Sequence, residues 1–167
     1  MKNLIALFFF LFLVVSCSNK TDQEYFDQAT KELKENKVTA AIATLQTLLI
    51  EHPKSKLGAK ALIQIASIYE SEKVPNKSRK DSFDSAQKFL MEVYEKYPSD
   101  AEAPNALFKC AFILANELED YDKATKVYKL FIEKYPDHEY AAIAKDELDI
   151  MGIPPEDLLK RVQSANK

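Results

Sequence analysis

Two cysteines and two histidines are the side chains of this 167-residue chain best suited to hold a metal or attack a carbonyl, and their spacing serves neither purpose. His52 and His138 each flank a proline, one before it and one after it, with no second histidine or cysteine at zinc-ligand spacing. They read as exposed turn residues. Carboxylates gather at Asp22-Gln23-Glu24 and at Glu117-Leu118-Glu119-Asp120. General acid–base work needs two such groups facing one reacting atom, and nothing sets these across a cleft. Gly58 and Gly152 are the only glycines, so a glycine-rich phosphate loop is missing, as is a G-x-S-x-G nucleophile element. A non-catalytic protein without cofactor or metal is expected. Two cysteines are too few for a disulfide framework, and Cys110 reads as a small buried hydrophobe.

Cys17 has a different chemistry open to it. Lys2 gives the chain a positive start, and Leu4 to Val15 is an apolar run of 12 residues. A membrane-spanning helix needs about 20. Twelve fits the apolar region of a secretory signal, typically about 7–15 residues. The chain turns polar at Ser18-Asn19-Lys20. The junction Val14-Val15-Ser16-Cys17 resembles the lipobox of bacterial lipoproteins: branched apolar residues, a small residue, then cysteine. The resemblance implies that the Cys17 sulfur takes a diacylglycerol, that the peptide is cut before it, and that its new amino group is acylated, with palmitate a usual chain. The alternatives are an ordinary signal with an incidental cysteine, or an uncleaved anchor. On this reading residues 1–16 are signal peptide, 17–21 a lipidated tether, 22–152 the folded domain and 153–167 a C-terminal tail. Ser18, in place of the aspartate that retains some lipoproteins at the inner membrane, implies the outer membrane, with the domain facing the periplasm.

What must carry any function is helical. Apolar residues make up 47% of the chain, sufficient for a core, while Ala, Lys, Glu and Leu abound and glycine is scarce. The net charge of −3 lacks the basic footprint that nucleic acid requires.

The chain also repeats itself. Glu51-His52-Pro53-Lys54-Ser55, Lys96-Tyr97-Pro98-Ser99-Asp100 and Lys134-Tyr135-Pro136-Asp137-His138 look alike, and each closes a run of helical periodicity. Twelve residues before each proline stands Ala41, Ala86 or Ala124, and four residues later Leu45, Leu90 or Tyr128. After two of the prolines, Leu62-x₂-Ile65-Ala66-x₂-Tyr69 matches Leu107-x₂-Cys110-Ala111-x₂-Leu114. Small residues let antiparallel helices approach, large ones fill the space a turn away, and proline stops the second helix. Together these patterns resemble the tetratricopeptide repeat over about Asp22 to Gly152. An all-α helical solenoid of about three helix pairs with capping helices is expected. The first helix, about Asp22 to Glu35, departs from the pattern by placing Gln28 and Glu32 where apolar residues belong, as terminal repeats do when one face meets water. The spacing of 45 residues between Pro53 and Pro98 makes room for the basic segment Lys73 to Lys80. Its composition reads as a solvated connector, with contact to an anionic partner or lipid surface as the alternative. A last helix, about Glu139 to Met151, caps the stack, and Gly152 can end it. Beyond Pro154-Pro155, Leu158, Leu159 and Val162 give the tail a narrow apolar edge, either a docked cap or a partner-binding segment.

In the repeat family the first helix of each pair lines a concave face that grips peptides or partner helices. Carried over residue by residue, the resemblance places Phe26, Thr30 and Leu33 there from the first pair, Ile63, Ser67 and Glu70 from the second, and Phe108, Phe112 and Ala115 from the third. Phe108 and Phe112, one turn apart, either stand exposed in a groove or pack under a neighbouring helix or the tail. The strings Tyr97-Pro98-Ser99-Asp100, with Ala106-Leu107-Phe108 downstream, and Asp120-Tyr121-Asp122-Lys123-Ala124-Thr125 are similar to two lipoprotein and periplasmic groups. These are the repeat lipoprotein of the outer-membrane β-barrel assembly machine and the coordinator associated with the Tol–Pal system. The resemblance implies an adaptor that binds envelope proteins or peptide segments and supports envelope assembly. A glycan-binding lipoprotein is the alternative, disfavoured because the chain has no tryptophan.

Overall fold

The computed structural model describes residues 20–154 and 156–157. Seven helices follow one another: α1 (Asp22–Lys34), α2 (Val38–Glu51), α3 (Gly58–Glu70), α4 (Arg79–Lys96), α5 (Ala103–Asn116), α6 (Tyr121–Lys134) and α7 (Ala141–Ile150). Each packs on the one before and the one after it. The described residues thus form an all-α stack of three helix pairs and a seventh helix, as the alanine and proline spacing predicts.

The helices begin where side chains satisfy their free amides. Thr21 and Glu24 form a reciprocal capping box on α1, while Ser78 and Asp120 accept from the Asp81 and Lys123 amides of α4 and α6. The second helix of each pair ends in one way, on the cap residues His52, Tyr97 and Tyr135, each followed by its proline. The turns that follow share their hydrogen bonds as well: Ser55, Asp100 and His138 each donate an amide to the carbonyl of the cap residue three before. This third copy of the turn shows that α7 opens a fourth repeat. It also takes up Glu139 and Tyr140, so α7 starts two residues later than the sequence periodicity suggests. Gly152 at φ 74° follows the cap residue Met151 and closes α7 in the left-handed geometry glycine favours.

The five spacing alanines, Ala41, Ala66, Ala86, Ala111 and Ala124, are all fully buried. Around them the core runs in two continuous clusters. One lies among α1, α2 and α3, with Phe26, Leu45, Leu48 and Ile65. The larger joins α3 to α7 through Leu62, Leu90, Leu107, Leu114, Tyr128 and Phe131. Gly58 sits at a close approach, because a Cβ there would fall 2.1 Å from the Tyr97 hydroxyl. The two edges of the stack are stitched differently. At one, Ser55 bonds Asp22 at 2.5 Å and Tyr97 reaches the Pro53 carbonyl at 3.4 Å. At the other, Arg79 pairs with Glu72 and, at 2.6 Å, with Glu117, lying over the Phe83 ring. The connector from Lys73 to Lys80 is therefore fastened at Arg79, and Lys77 lies over the Tyr69 ring.

Candidate protein-binding face

The first helices of the pairs lie side by side. Lys60 on α3 covers the Phe26 ring of α1 at 4.9 Å, and Lys109 on α5 bonds Glu70 of α3 at 2.7 Å. The nine residues expected to line a groove fall on this layer but differ in what they present. Thr30, Leu33, Ile63 and Glu70 are half-buried, and Ser67 is exposed. Thr30 turns its hydroxyl back onto the Phe26 carbonyl at 2.9 Å, so the methyl group is its free part. Glu70 has one oxygen on Lys109, while Oε1 is buried with no hydrogen-bond partner.

Three of the nine do not offer an open surface. Phe26 is 7% exposed and Ala115 5%, because neighbouring helices close over them. Phe108 does not stand exposed beside Phe112. Its ring lies 5.7 Å from Tyr128, 5.5 Å from Phe131 and 4.8 Å from Tyr140, within an aromatic group that continues to His138 and Tyr135. The ring is held by the proline turn before α7, an aromatic wall not apparent from the spacing of α5 alone. His138, expected as an exposed turn residue, is half-buried in this wall, 5.5 Å from Phe131. His52, likewise half-buried, bonds the Lys20 carbonyl at 2.8 Å. Phe112, 40% exposed, is the one exposed large apolar side chain of α1, α3 and α5, and on α7 Ile143 is exposed as well, at 45%.

Ala115 borders a separate cleft of about 470 Å³ where α5, α6 and the end of α7 meet, together with Tyr121, Glu147 and Met151. Among the described residues no group of three or more His, Cys, Asp or Glu side chains could hold a metal ion. Cys110 is fully buried, its sulfur 3.7 Å from the Gln87 amide oxygen, and burial pushes its thiol up to about 12. Burial likewise raises Tyr128, whose hydroxyl has no partner. Both are groups of the core, closed to substrate. Cys17, Leu158, Leu159 and Val162 lie outside the described residues. No described helix is long and apolar enough to cross a membrane.

No curated protein matches the chain. A family model described as SNAP, soluble NSF attachment protein, matches residues 14–147 and so spans α1 to most of α7. With its stacked helix pairs spaced by alanine and proline, the chain belongs to the soluble NSF attachment protein family.

Proposed function

We propose that the chain is a non-catalytic adaptor of the bacterial cell envelope, anchored by an acylated Cys17, whose inner face holds a segment of a partner protein. The family is named for attachment to a protein, and attachment is the role a stacked helical scaffold serves best. The observation that carries this reading is exposed Phe112 in the layer of first helices. Phe112 stands open there, with half-buried Ile63 and exposed Ser67 on α3 and the Lys109–Glu70 pair on the same layer. An apolar anchor rimmed by polar groups suits a peptide or helix with a large apolar side chain. The anchor follows from the short apolar run and the Ser16-Cys17 junction. Two or three acyl chains hold a protein stably, each buried CH₂ contributing about 0.8 kcal/mol. Ser18 favours the outer membrane, and the support of envelope assembly rests on the resemblance of the repeat strings to the two envelope groups.

Two substitutions test the reading. Phe112→Ala should reduce partner capture at least tenfold in pull-downs from envelope extract while the melting curve stays in place. Cys17→Ala should leave the precursor uncut and unlabelled by a palmitate analogue. Undiminished capture by the first variant removes the site, and equal labelling of the second removes the anchor.

A further inference from the structure

The fourth repeat keeps the spacing of the third. α5 starts at Ala103 and α7 at Ala141, 38 residues on, and buried Ala103 and Ala106 return as buried Ala141 and Ala144. At this offset Ile150 stands where Phe112 stands, and the two are alike in exposure, at 43% and 40%. In the second repeat the same place holds Ser67. The layer of first helices thus grows more apolar towards its C-terminal end.

The cleft at the end of α5 joins these two side chains. Asn116, one turn beyond Phe112 and bonded to its carbonyl at 3.1 Å, lines the cleft with Ala115, Tyr121 of α6, and Glu147 and Ile150 of α7. Glu119, in the turn between α5 and α6, completes the wall, and no lysine or arginine lines it. The side chains of Glu119 and Glu147 make no hydrogen bond or ion pair among the described residues, whereas Arg79 holds Glu117 and Lys123 holds Asp120. Glu147 occupies the place of Lys109 one repeat on; Lys109 is paired with Glu70, and Glu147 has no such partner. The lysines left at this end of the stack, Lys126 and Lys145, face Asp122, Asp146 and Asp149 in addition to the two cleft carboxylates. The cleft is therefore apolar on part of its wall and uncompensated in charge.

We propose that the partner segment seated at Phe112 is a basic amphipathic helix, with one apolar side chain on Phe112, a second on Ile150, and a lysine or arginine between them in the cleft. This step rests on Phe112 as the anchor of the inner layer. Packed helices lie about 8–10 Å apart, close to two turns of a partner helix at about 1.5 Å per residue. The apolar residues of the partner then stand two turns apart, and the residue one turn from each faces the cleft. The stem of a long basic side chain lies there along Ala115 and Ile150. Its charge falls between Glu119 and Glu147, beside the Tyr121 ring, which is 42% exposed. A half-enclosed wall strengthens this attraction over one in open water, and like charge turns an acidic segment away.

Two designed helical peptides supply the probe, with binding to the full chain in a nonionic detergent read by fluorescence anisotropy. One carries leucines two turns apart with arginine midway, and in the other glutamate replaces the arginine. The first should bind at least tenfold more tightly, and 1 M salt, which screens charges beyond about 3 Å, should shrink that preference. Glu119→Gln with Glu147→Gln should remove most of it at an unchanged melting temperature. Glu95→Gln with Glu139→Gln, an equal change of charge on the edge of the proline turns, should leave it intact. Phe112→Ala should weaken both peptides alike. A preference that survives the Glu119 and Glu147 changes, or falls equally in both charge variants, overturns the basic helix while leaving the anchor at Phe112 in place. Binding that ignores Phe112→Ala removes the anchor, and the proposal with it. The rival occupant is the chain's own Lys160 and Arg161. If Lys160→Gln with Arg161→Gln tightens the arginine peptide severalfold, the cleft belongs to the tail and the proposal fails.

Discussion

The first and third helix pairs share one register and fill it with different chemistry. Cys110 and Leu114 on α5 are buried among α4, α5 and α6. At the matching positions of α1 stand Gln28 and Glu32. Glu32 accepts from Thr44 of α2 at 2.8 Å and from Gln28 at 2.7 Å, making a half-buried polar ladder where the third pair has an apolar seam. The pairs differ in their neighbours. The third lies between α4 and α7, whereas the first has a described helix on one side only. A seam that reaches water can be filled by polar groups that satisfy one another, and one that does not must be apolar. The small residues that set the helix approach are common to both, as Ala29 and Ala41 are as fully buried as Ala111 and Ala124.

Substitutions at matched positions can break this comparison. The largest loss should come from Phe108→Ala, about 3–5 kcal/mol in urea unfolding, since the ring fills an aromatic wall. The solvent-facing Phe112→Ala should stay within about 0.5 kcal/mol. Leu114→Ala in the third pair should cost about 2–5 kcal/mol. At the equivalent site of the first pair, Glu32→Ala should cost about 1–2 kcal/mol, by leaving Thr44 and Gln28 without their acceptor. Equal losses at positions 32 and 114 would show the two seams to be alike. Ala41→Leu and Ala124→Leu should each cost about 1–3 kcal/mol by overpacking, while exposed Lys123→Leu stays within about 0.5 kcal/mol. One substitution should bring a gain. Glu119 ends the α5 turn at φ 53°, a left-handed conformation, so Glu119→Gly should stabilise by up to about 1 kcal/mol. Glu72, at φ 57°, pairs with Arg79, so Glu72→Gly should gain less in the same urea unfolding.

The architecture was legible because its signals are local. Alanine at a fixed distance before proline marks both a close approach and a helix end, and the second helices stop at Glu51, Lys96 and Lys134, two residues before each proline. The candidate face was legible only in part. Helix spacing places Phe108 and Phe112 on one layer, but what covers a ring depends on chain far from it. Here that is Phe131 on α6 and Tyr140 before α7. Thr44 shows the same limit. A threonine in a helix carries no mark that it will meet a glutamate of the preceding helix. Nor does a run of lysines and one arginine announce that Arg79 will tie the ends of two first helices together through Glu72 and Glu117.

On the proposed reading the partner is held at Phe112 on the layer of first helices, and two exposed apolar residues decide it. Ile50, on α2 in the other layer, is 78% exposed, nearly twice the 40% of Phe112. If bare apolar exposure governed contact, Ile50 would collect the partner. A photo-crosslinking residue placed at position 112 or at position 50 of the full chain, in intact cells, compares them directly. One discrete adduct is expected from position 112, lost when Ile63→Glu is added, and none from position 50. An adduct from position 50 with none from position 112 contradicts it.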